Sequence, residues 1–262
     1  MTRVVKVGGR VQGDPQLTIG LAATAQAASP GHGNPLCIVH GGGDDVSALQ
    51  RRLGLEPQFR SGRRVTSTED LEIVRMVLSG TINKRLVAAL LSHGIRAVGI
   101  SGEDGLLFTA QVSDSANMGR VGGEVTVDAT VVRLLLAAGF VPVISPLARD
   151  AGDSAGAGLN VNGDDAAAAL AVSLGADELV FVADVAGVME NGAVIPELDA
   201  NGVQGLIARG VAAGGMIAKL EAGFAALQGG VAVVRISALD GITDRAVGTQ
   251  LVLSLTATRG AI

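Results

Sequence analysis

The chain has 262 residues, of which 48% are apolar and 17% charged, with a formal net charge of −5. That length suits one large α/β domain or two lobes with an ample core, and the apolar content excludes a disordered chain. An acidic balance without a basic run argues against a nucleic-acid partner. No apolar stretch approaches the roughly 18 residues of a membrane span, and the chain enters Val4-Val5-Lys6-Val7 without a charged-then-apolar leader. The expectation is a soluble, cytoplasmic protein with no membrane partner.

Cys37 is the single cysteine and lies inside an apolar run, so it reads as a small buried hydrophobe, with no disulfide framework or cysteine metal site available. Five Phe and no Tyr or Trp leave few stacking platforms. A nucleotide base bound here would lie between aliphatic side chains and backbone.

Residues 3–7 form a β-branched strand ending in Gly8-Gly9. Lys6, just before that turn, suits either strand-edge protection or contact with an anion. An Ala-rich helix spans 16–28, and 29–35 is a loop. Leu36-Cys37-Ile38-Val39-His40 then breaks into Gly41-Gly42-Gly43 and a helix over 44–53. Glycines there permit positive φ and let backbone N–H groups approach a ligand. Beside the positive end of a helix they suit an anion, although a tight turn without a ligand has the same pattern.

Residues 59–66 show no helical period and carry Arg60, Arg63 and Arg64. Thr66-Ser67-Thr68-Glu69 matches a capping box, and Leu71, Val74 and Leu78 recur at helical spacing. Arg64 therefore sits just before a helix N-terminus, where its guanidinium and the free N–H groups could grip a carboxylate; the alternative is a solvated loop arginine. A helix over 82–92, a strand over 97–100, a hairpin turn at 103–106, a strand over 125–127, a helix over 128–138 and a strand over 141–144 continue the alternation. Composition shifts to Gly, Ala, Asp and Ser through 158, which divides the chain into lobes 1–155 and 156–262.

Asn160 and Asn162 alternate ahead of Asp164 at the start of an Ala-rich helix over 165–174, so two amides and a carboxylate share a rim, unless Asp164 is only an N-cap. A strand over 178–182 ends at Ala183-Asp184-Val185-Ala186-Gly187-Val188, and Asn191-Gly192 marks a hairpin. After a helix over 200–209, Gly214-Gly215-Met216 opens another that runs to 227, with Lys219 one turn in; strands over 231–236 and 250–255 follow. Strand and helix alternating throughout predict an α/β fold, an open and mainly parallel sheet covered by helices. The Gly-rich turns fall at the carboxyl ends of its strands, where ligands bind in such sheets.

His40-Gly41-Gly42-Gly43 and Gly152-Asp153-Ser154-Ala155-Gly156 together mimic an esterase oxyanion hole and nucleophile elbow. Residues 147–151 do not read as the strand an elbow needs. More decisively, His32, His40 and His93 all precede Ser154, against the order Ser, acid, His of that fold. No base remains to activate the serine. The P-loop pattern and the protein-kinase H-R-D and D-F-G signatures are also missing.

What survives is a set of anion-holding turns with Lys6, Asp164 and Lys219. Val5-Lys6-Val7-Gly8-Gly9, Val39-His40-Gly41-Gly42-Gly43, Gly62-Arg63-Arg64-Val65-Thr66, Asn83-Lys84, Gly99-Ile100-Ser101-Gly102, Asn160-Val161-Asn162-Gly163-Asp164, Ala183-Asp184-Val185-Ala186-Gly187-Val188, Gly214-Gly215-Met216-Ile217-Ala218-Lys219 and Gly248-Thr249-Gln250, taken in this order, resemble the amino-acid kinase family. Within it they are most similar to the members acting on N-acetylglutamate, and the resemblance covers essentially the whole chain. It implies an eight-stranded, mainly parallel sheet sandwiched between helices, of the carbamate kinase-like kind. The N-terminal lobe would bind the amino acid and form the dimer contact, and the C-terminal lobe would bind MgATP.

The resemblance also implies residue roles. Lys6 and Lys219 would stabilise the transferring phosphoryl group, Asp164 would orient both lysines, and Gly9, Gly42 and Gly43 would offer backbone N–H groups. Arg64 and Asn160 would hold the amino-acid carboxylate, with Asn162 on the same rim. Gly8, Asp184, Gly187 and Met216 would belong to the nucleotide side with the two lysines. Mg²⁺ would be held by phosphates and water, so no protein ligand is named. His40 would be structural, because a glutamate-type carboxyl, with a pKa of about 4.3, is ionised at neutral pH and needs no general base.

Two departures are the Gly- and Ala-rich 152–158 segment and Gly163, where the family often has Ala. The few residues before the first strand lack the extra N-terminal helix of arginine-inhibited hexamers, so a homodimer insensitive to arginine is expected. The rival readings are a kinase for N-succinylglutamate or for a carrier-protein-linked aminoadipate or glutamate, and a non-catalytic amino-acid sensor.

Overall fold

The structure is a computed structural model that describes residues 1–27, 35–60 and 62–254. In chain order the elements are β1 (Arg3–Val7), α1 (Pro15–Gln26), β2 (Leu36–His40), α2 (Gly43–Arg52), β3 (Phe59–Arg60), β4 (Arg63–Arg64), α3 (Thr68–Arg75), α4 (Asn83–Ser92), β5 (Ala97–Ser101) and β6 (Phe108–Val112). Then come α5 (Ser115–Met118), β7 (Gly122–Val127), α6 (Thr130–Ala137), β8 (Val141–Ser145), β9 (Leu147–Asp150), β10 (Gly158–Asn160), α7 (Gly163–Leu174) and β11 (Glu178–Val182). The last are β12 (Met189–Glu190), β13 (Ala193–Val194), β14 (Glu197–Leu198), α8 (Ala200–Ala208), α9 (Gly215–Gln228), β15 (Val233–Ser237) and β16 (Thr249–Leu251).

Eight strands form one sheet in the order β14-β16-β15-β11-β1-β2-β8-β5, parallel except where β15 meets β16. β1 lies inside it, paired with β11 on one side and β2 on the other, and every residue of these three strands is buried. A strand covered on both faces needs apolar residues throughout, which is why Val4-Val5 and Leu36-Cys37-Ile38-Val39 lack polar alternation. Successive side chains still point to opposite faces. Val4, Cys37 and Phe181 enter one core, with Leu170 of α7 and Leu220 of α9; Val5, Ile38 and Val180 enter the other, with Leu17 of α1 and Leu86 of α4. Lys6 has the parity of Val4, so it faces α7 and α9.

A second sheet, β10-β9-β6-β7, packs on the first face beside α7. It was not legible as such, and it corrects two readings. Residues 147–150 are strand β9, so the esterase elbow fails because β10 and not a helix follows the turn. Residues 103–106 join strands of different sheets through a short 3-10 turn and make no hairpin. The capping box also moves by one residue: Ser67 Oγ accepts from the Asp70 N–H, and Asp70 Oδ2 accepts from the Ser67 N–H. Thr66 is instead buried, hydrogen-bonded through its backbone to Met118 and Arg120.

The helices expected over 66–78 and 82–92 run on as one, because a π-helical segment, Met76–Ile82, joins α3 to α4. Asn191 and Gly192 have φ of 52° and 80°, the mirror-image turn their sequence predicts. The loop expected at 29–35 lies outside the described residues except Pro35, as does the end, Leu255, of the strand expected over 250–255.

At the amino ends of β1 and β11 the fully buried Glu178 collects three guanidinium groups, one of them from the middle of β15. Arg3 Nε lies 2.8 Å from Oε2, Arg235 Nη2 2.8 Å from Oε1, and Arg245 Nη2 2.8 Å from Oε2. The Arg3 contact is a close ion pair without hydrogen-bond alignment, since Arg3 Nε and Glu178 Oε2 have no hydrogen-bond partner. Removing one member of a buried ion cluster strands the others. Glu178→Gln should therefore destabilise the fold by about 3–5 kcal/mol, read as a lowered urea midpoint; a loss under about 1 kcal/mol would show that the arginines find other partners.

Candidate active site

The parallel register of β1 and β2 sets Lys6 beside Val39 and Val7 beside His40, so Gly8-Gly9 and Gly41-Gly42-Gly43 leave the sheet side by side. A Cβ on Gly9 would come within 3.4 Å of Gly42 Cα. Gly42 has φ of 152°, and a Cβ there would run into Ile82 and Leu78 of the π-helical segment. Only glycine fits that position. α2 starts at Gly43, so the turn ends on the free N–H groups of a helix N-terminus.

His40 anchors this turn from below. Its Nδ1 lies 2.9 Å from Gly41 O, and the Asn83 amide donates to both His40 Nε2, at 3.2 Å, and Val143 O, at 2.8 Å. The ring is thus neutral with Nδ1–H as donor. Burial foremost, with Lys6, Lys84 and Arg85 adding to it, pushes its pKa down to about 4 against the opposing bond to Gly41.

Lys6, Asp164 and Lys219 come from β1, α7 and α9 and converge. Lys6 Nζ is 2.8 Å from Asp164 Oδ1, and Lys219 Nζ donates to Oδ1 at 3.0 Å and Oδ2 at 3.1 Å. All three are buried. Burial works against the charge of Asp164, but the two ammonium groups outweigh it and hold the carboxyl below its ordinary value. Burial and the neighbouring Lys6 push Lys219 below the usual lysine range against the pull of Asp164. The cluster carries one excess positive charge. Asp164 is not the N-cap of α7: that is Asn162, whose Oδ1 accepts from the N–H of Asp164 at 2.7 Å and of Asp165 at 3.3 Å.

Two cavities open at these turns. One, of about 220 Å³, is lined by Gly41, Gly42, Gly43, Arg64, Asn160 and Asn162 among others. The other, of about 460 Å³, is lined by Lys6, Gly8, Gly9, Asp164, Asp184, Met216 and Lys219 among others. Gly43 lines both, so they meet at the N-terminus of α2.

Arg64 is corrected in its surroundings. It reaches α2 and not α3: its guanidinium donates to Gly43 O and Ser47 Oγ, each at 2.7 Å, and to Gln50 Oε1, with Phe59 stacked at 4.8 Å. Asn160 Nδ2 donates to Thr66 Oγ1 at 3.0 Å on the same wall. Gly187 is not among the lining residues of either cavity; a Cβ there would press on Thr249 Oγ1 and Val194 Cγ1, so its smallness serves packing. Sequence reading missed Ser47 and Gln50, which steady Arg64, and named Asn83 only as part of the resemblance, without its role of steadying His40. It also missed Arg10, paired with Asp184 at 2.9 Å and Asp44 at 3.5 Å over the larger cavity. Nothing in the local spacing marks any of these.

Comparison with known proteins places this site in a class. The model of the amino acid kinase family matches residues 1–237, and the chain belongs to that family. It is a kinase with marked similarity to acetylglutamate kinases: that of Chloroflexus aurantiacus is 45% identical over 243 residues, covering 92% of this chain and 93% of the relative. The enzyme of Geobacillus stearothermophilus is 41% identical over 235 residues, covering 90% and 89%. A solved Streptococcus mutans UA159 structure superposes with a TM-score of 0.84 at 28% identity, covering 97% of this chain and 99% of that one. The N-acetylglutamate synthase of Neisseria gonorrhoeae, complexed with coenzyme A and N-acetyl-glutamate, gives 0.80 at 27%, with this chain covering 60% of it.

The neutral His40 has a consequence for stability. Its pKa is about 4 in the fold and about 6.5 in the unfolded chain, so between those values the unfolded chain binds more protons. The stability due to neutral His40 is complete above about pH 6.5 and is lost as pH falls toward 4, up to roughly 3 kcal/mol. Urea unfolding of wild type and His40→Gln at pH 4.5 and 7.5 should give a smaller pH dependence for the variant; equal dependence would place the acid sensitivity elsewhere.

Proposed function

We infer that the protein transfers the γ-phosphoryl group of ATP to the side-chain carboxylate of N-acetyl-L-glutamate, a step of arginine biosynthesis. The observation that carries this reading is the buried Lys6–Asp164–Lys219 cluster, with its excess positive charge, beside the meeting point of two cavities. A carboxylate oxygen attacks the γ-phosphorus, the bond to the leaving ADP oxygen breaks, and no proton is moved. The barrier lies in bringing one anion to a polyanion, so positioning and neutralisation are the work required.

In this reading the smaller cavity takes the amino acid, with Arg64 and Asn160 on its carboxylate and Asn162 on the rim. The larger takes the polyphosphate, with Gly8, Asp184 and Met216 on the nucleotide side. Lys6 and Lys219 oppose the charge that develops on the phosphoryl and leaving oxygens, and the N–H groups of Gly9, Gly42 and Gly43 add fixed dipoles. Asp164 holds both ammonium groups in place and stays ionised because they flank it.

Mg²⁺ would come with the nucleotide, on phosphates and water, and would supply further neutralisation. Asp164 is a poor ligand for it, since both of its oxygens are taken by lysines. Residues 1–155 act as the amino-acid lobe and 156–262 as the nucleotide lobe, joined by one sheet. The family resemblance supports a homodimer in the cytoplasm, and no helix among the described residues is long and apolar enough to cross a membrane.

A coupled assay of ADP release with N-acetylglutamate, N-succinylglutamate and aspartate tests the reading. Turnover should be greatest with N-acetylglutamate; ATP binding without turnover of any would sink it. Lys219→Ala should lower kcat by about 10²–10³-fold with KM for the amino acid within roughly threefold. The opposite pattern would assign Lys219 to substrate binding instead.

A further inference from the structure

β3 and β4 form a two-stranded ribbon paired with no other strand among the described residues. A ribbon that short does not hold its place alone; just past β4, Thr66 ties it through backbone bonds to Met118 and Arg120, and the rest of its position depends on side-chain anchors. Arg63 and Arg64 are neighbours on β4 and point to opposite faces. Arg64 fastens one face to the first turns of α2 through Gly43 O and Ser47 Oγ. Arg63 reaches the other way: its Nη2 lies 2.9 Å from Asp165 Oδ2, in the first turn of α7. At the tip, Gly62 faces Gly214, the N-cap of α9: a Cβ there would lie 3.8 Å from the Gly214 carbonyl carbon.

These anchors are not scattered. Asp165 follows Asp164 directly, and α9 carries Lys219. The ribbon that presents Arg64 to the smaller cavity is thus tied, through Arg63, to the helix that presents Asp164 to the larger one. We propose that the Arg63–Asp165 ion pair is a positioning latch, holding the β3–β4 ribbon and Arg64 in register with α7 and α9. Arg63 also forms part of the wall of the smaller cavity, while Asp165 does not line it; in this proposal the pair acts by fixing the ribbon that carries Arg64.

Asp165 suits this task. Burial raises its carboxyl above the ordinary value against the pull of Arg63, with Asp164 and Glu221 adding to the rise. Without the guanidinium a half-buried acid beside Asp164 is left unpaired, and the ribbon loses its contact with α7. An isolated surface pair would contribute little. Here the pair spans two elements that no backbone ladder joins, so its loss is felt where the ribbon binds substrate.

The latch rests on the kinase reading for its kinetic test. In Arg63→Met and Asp165→Asn, KM for N-acetylglutamate should rise about tenfold while KM for ATP and kcat stay within about threefold. Arg63→Lys, which keeps the charge, should stay within about threefold of wild type in KM, and the double variant Arg63→Met/Asp165→Asn should be no worse than Arg63→Met alone. Unchanged KM in both single variants, failure of Arg63→Lys to rescue, or multiplying effects in the double variant would each overturn the latch. A wild-type protein that turns over no N-acetylglutamate would overturn the functional reading instead. Amide exchange over residues 59–66 would then decide, faster by about tenfold in Arg63→Met if the latch holds and unchanged if it does not.

Discussion

Two buried ammonium groups sharing one buried carboxylate constrain the structure more than any other contact. Charges taken out of water must be paired, and pairing them requires three elements to arrive at one point from distant parts of the chain. Lys6 comes from the middle strand of the sheet, Asp164 from the start of α7 and Lys219 from the first turns of α9. Each is brought there by ordinary means: strand parity turns Lys6 toward the helices, Asn162 caps α7 so that Asp164 faces inward, and Gly214 starts α9 with φ of 51°. With two cations to one anion, the cluster is left short of negative charge, which the phosphoryl group of the proposed reaction would supply.

The turns beside the cluster obey a second constraint, the parallel pairing of β1 and β2. Parallel neighbours end at the same edge of a sheet, so two Gly-rich turns distant in sequence form one surface of N–H groups. Nothing else could stand at Gly42, where Ile82 and Leu78 fill the space a side chain would need. The π-helical segment that brings those two residues there also merges two helices into one, so local irregularity in the helix and the absence of a side chain in the turn are parts of one fit.

The opposite end of the sheet balances this arrangement. Glu178 gathers Arg3, Arg235 and Arg245 near the amino ends of β1 and β11, strands whose carboxyl ends carry the candidate site. One end holds a buried acid among arginines. The other is a cation pair around an acid, opened by glycines to two cavities.

Sequence alone determined the alternation of strands and helices, the sheet they form, and the residue types of the site. Apolar runs, turn dipeptides and glycines act within a few residues of themselves, and Lys6, Asp164 and Lys219 stood out because each follows or opens such a feature. The second sheet was not legible, since its strands β6, β9 and β10 are short and carry polar residues that only a neighbouring element explains. The capping box slipped by one residue because Thr66 is drawn into a bridge with Gly119, a contact from far along the chain. Arg64 was legible as an anion-seeking residue but not as a neighbour of α2, and the Arg63–Asp165 pair was not legible at all. Those contacts join residues separated by 14 to 102 positions, and no local periodicity encodes a distance that only the folded chain closes.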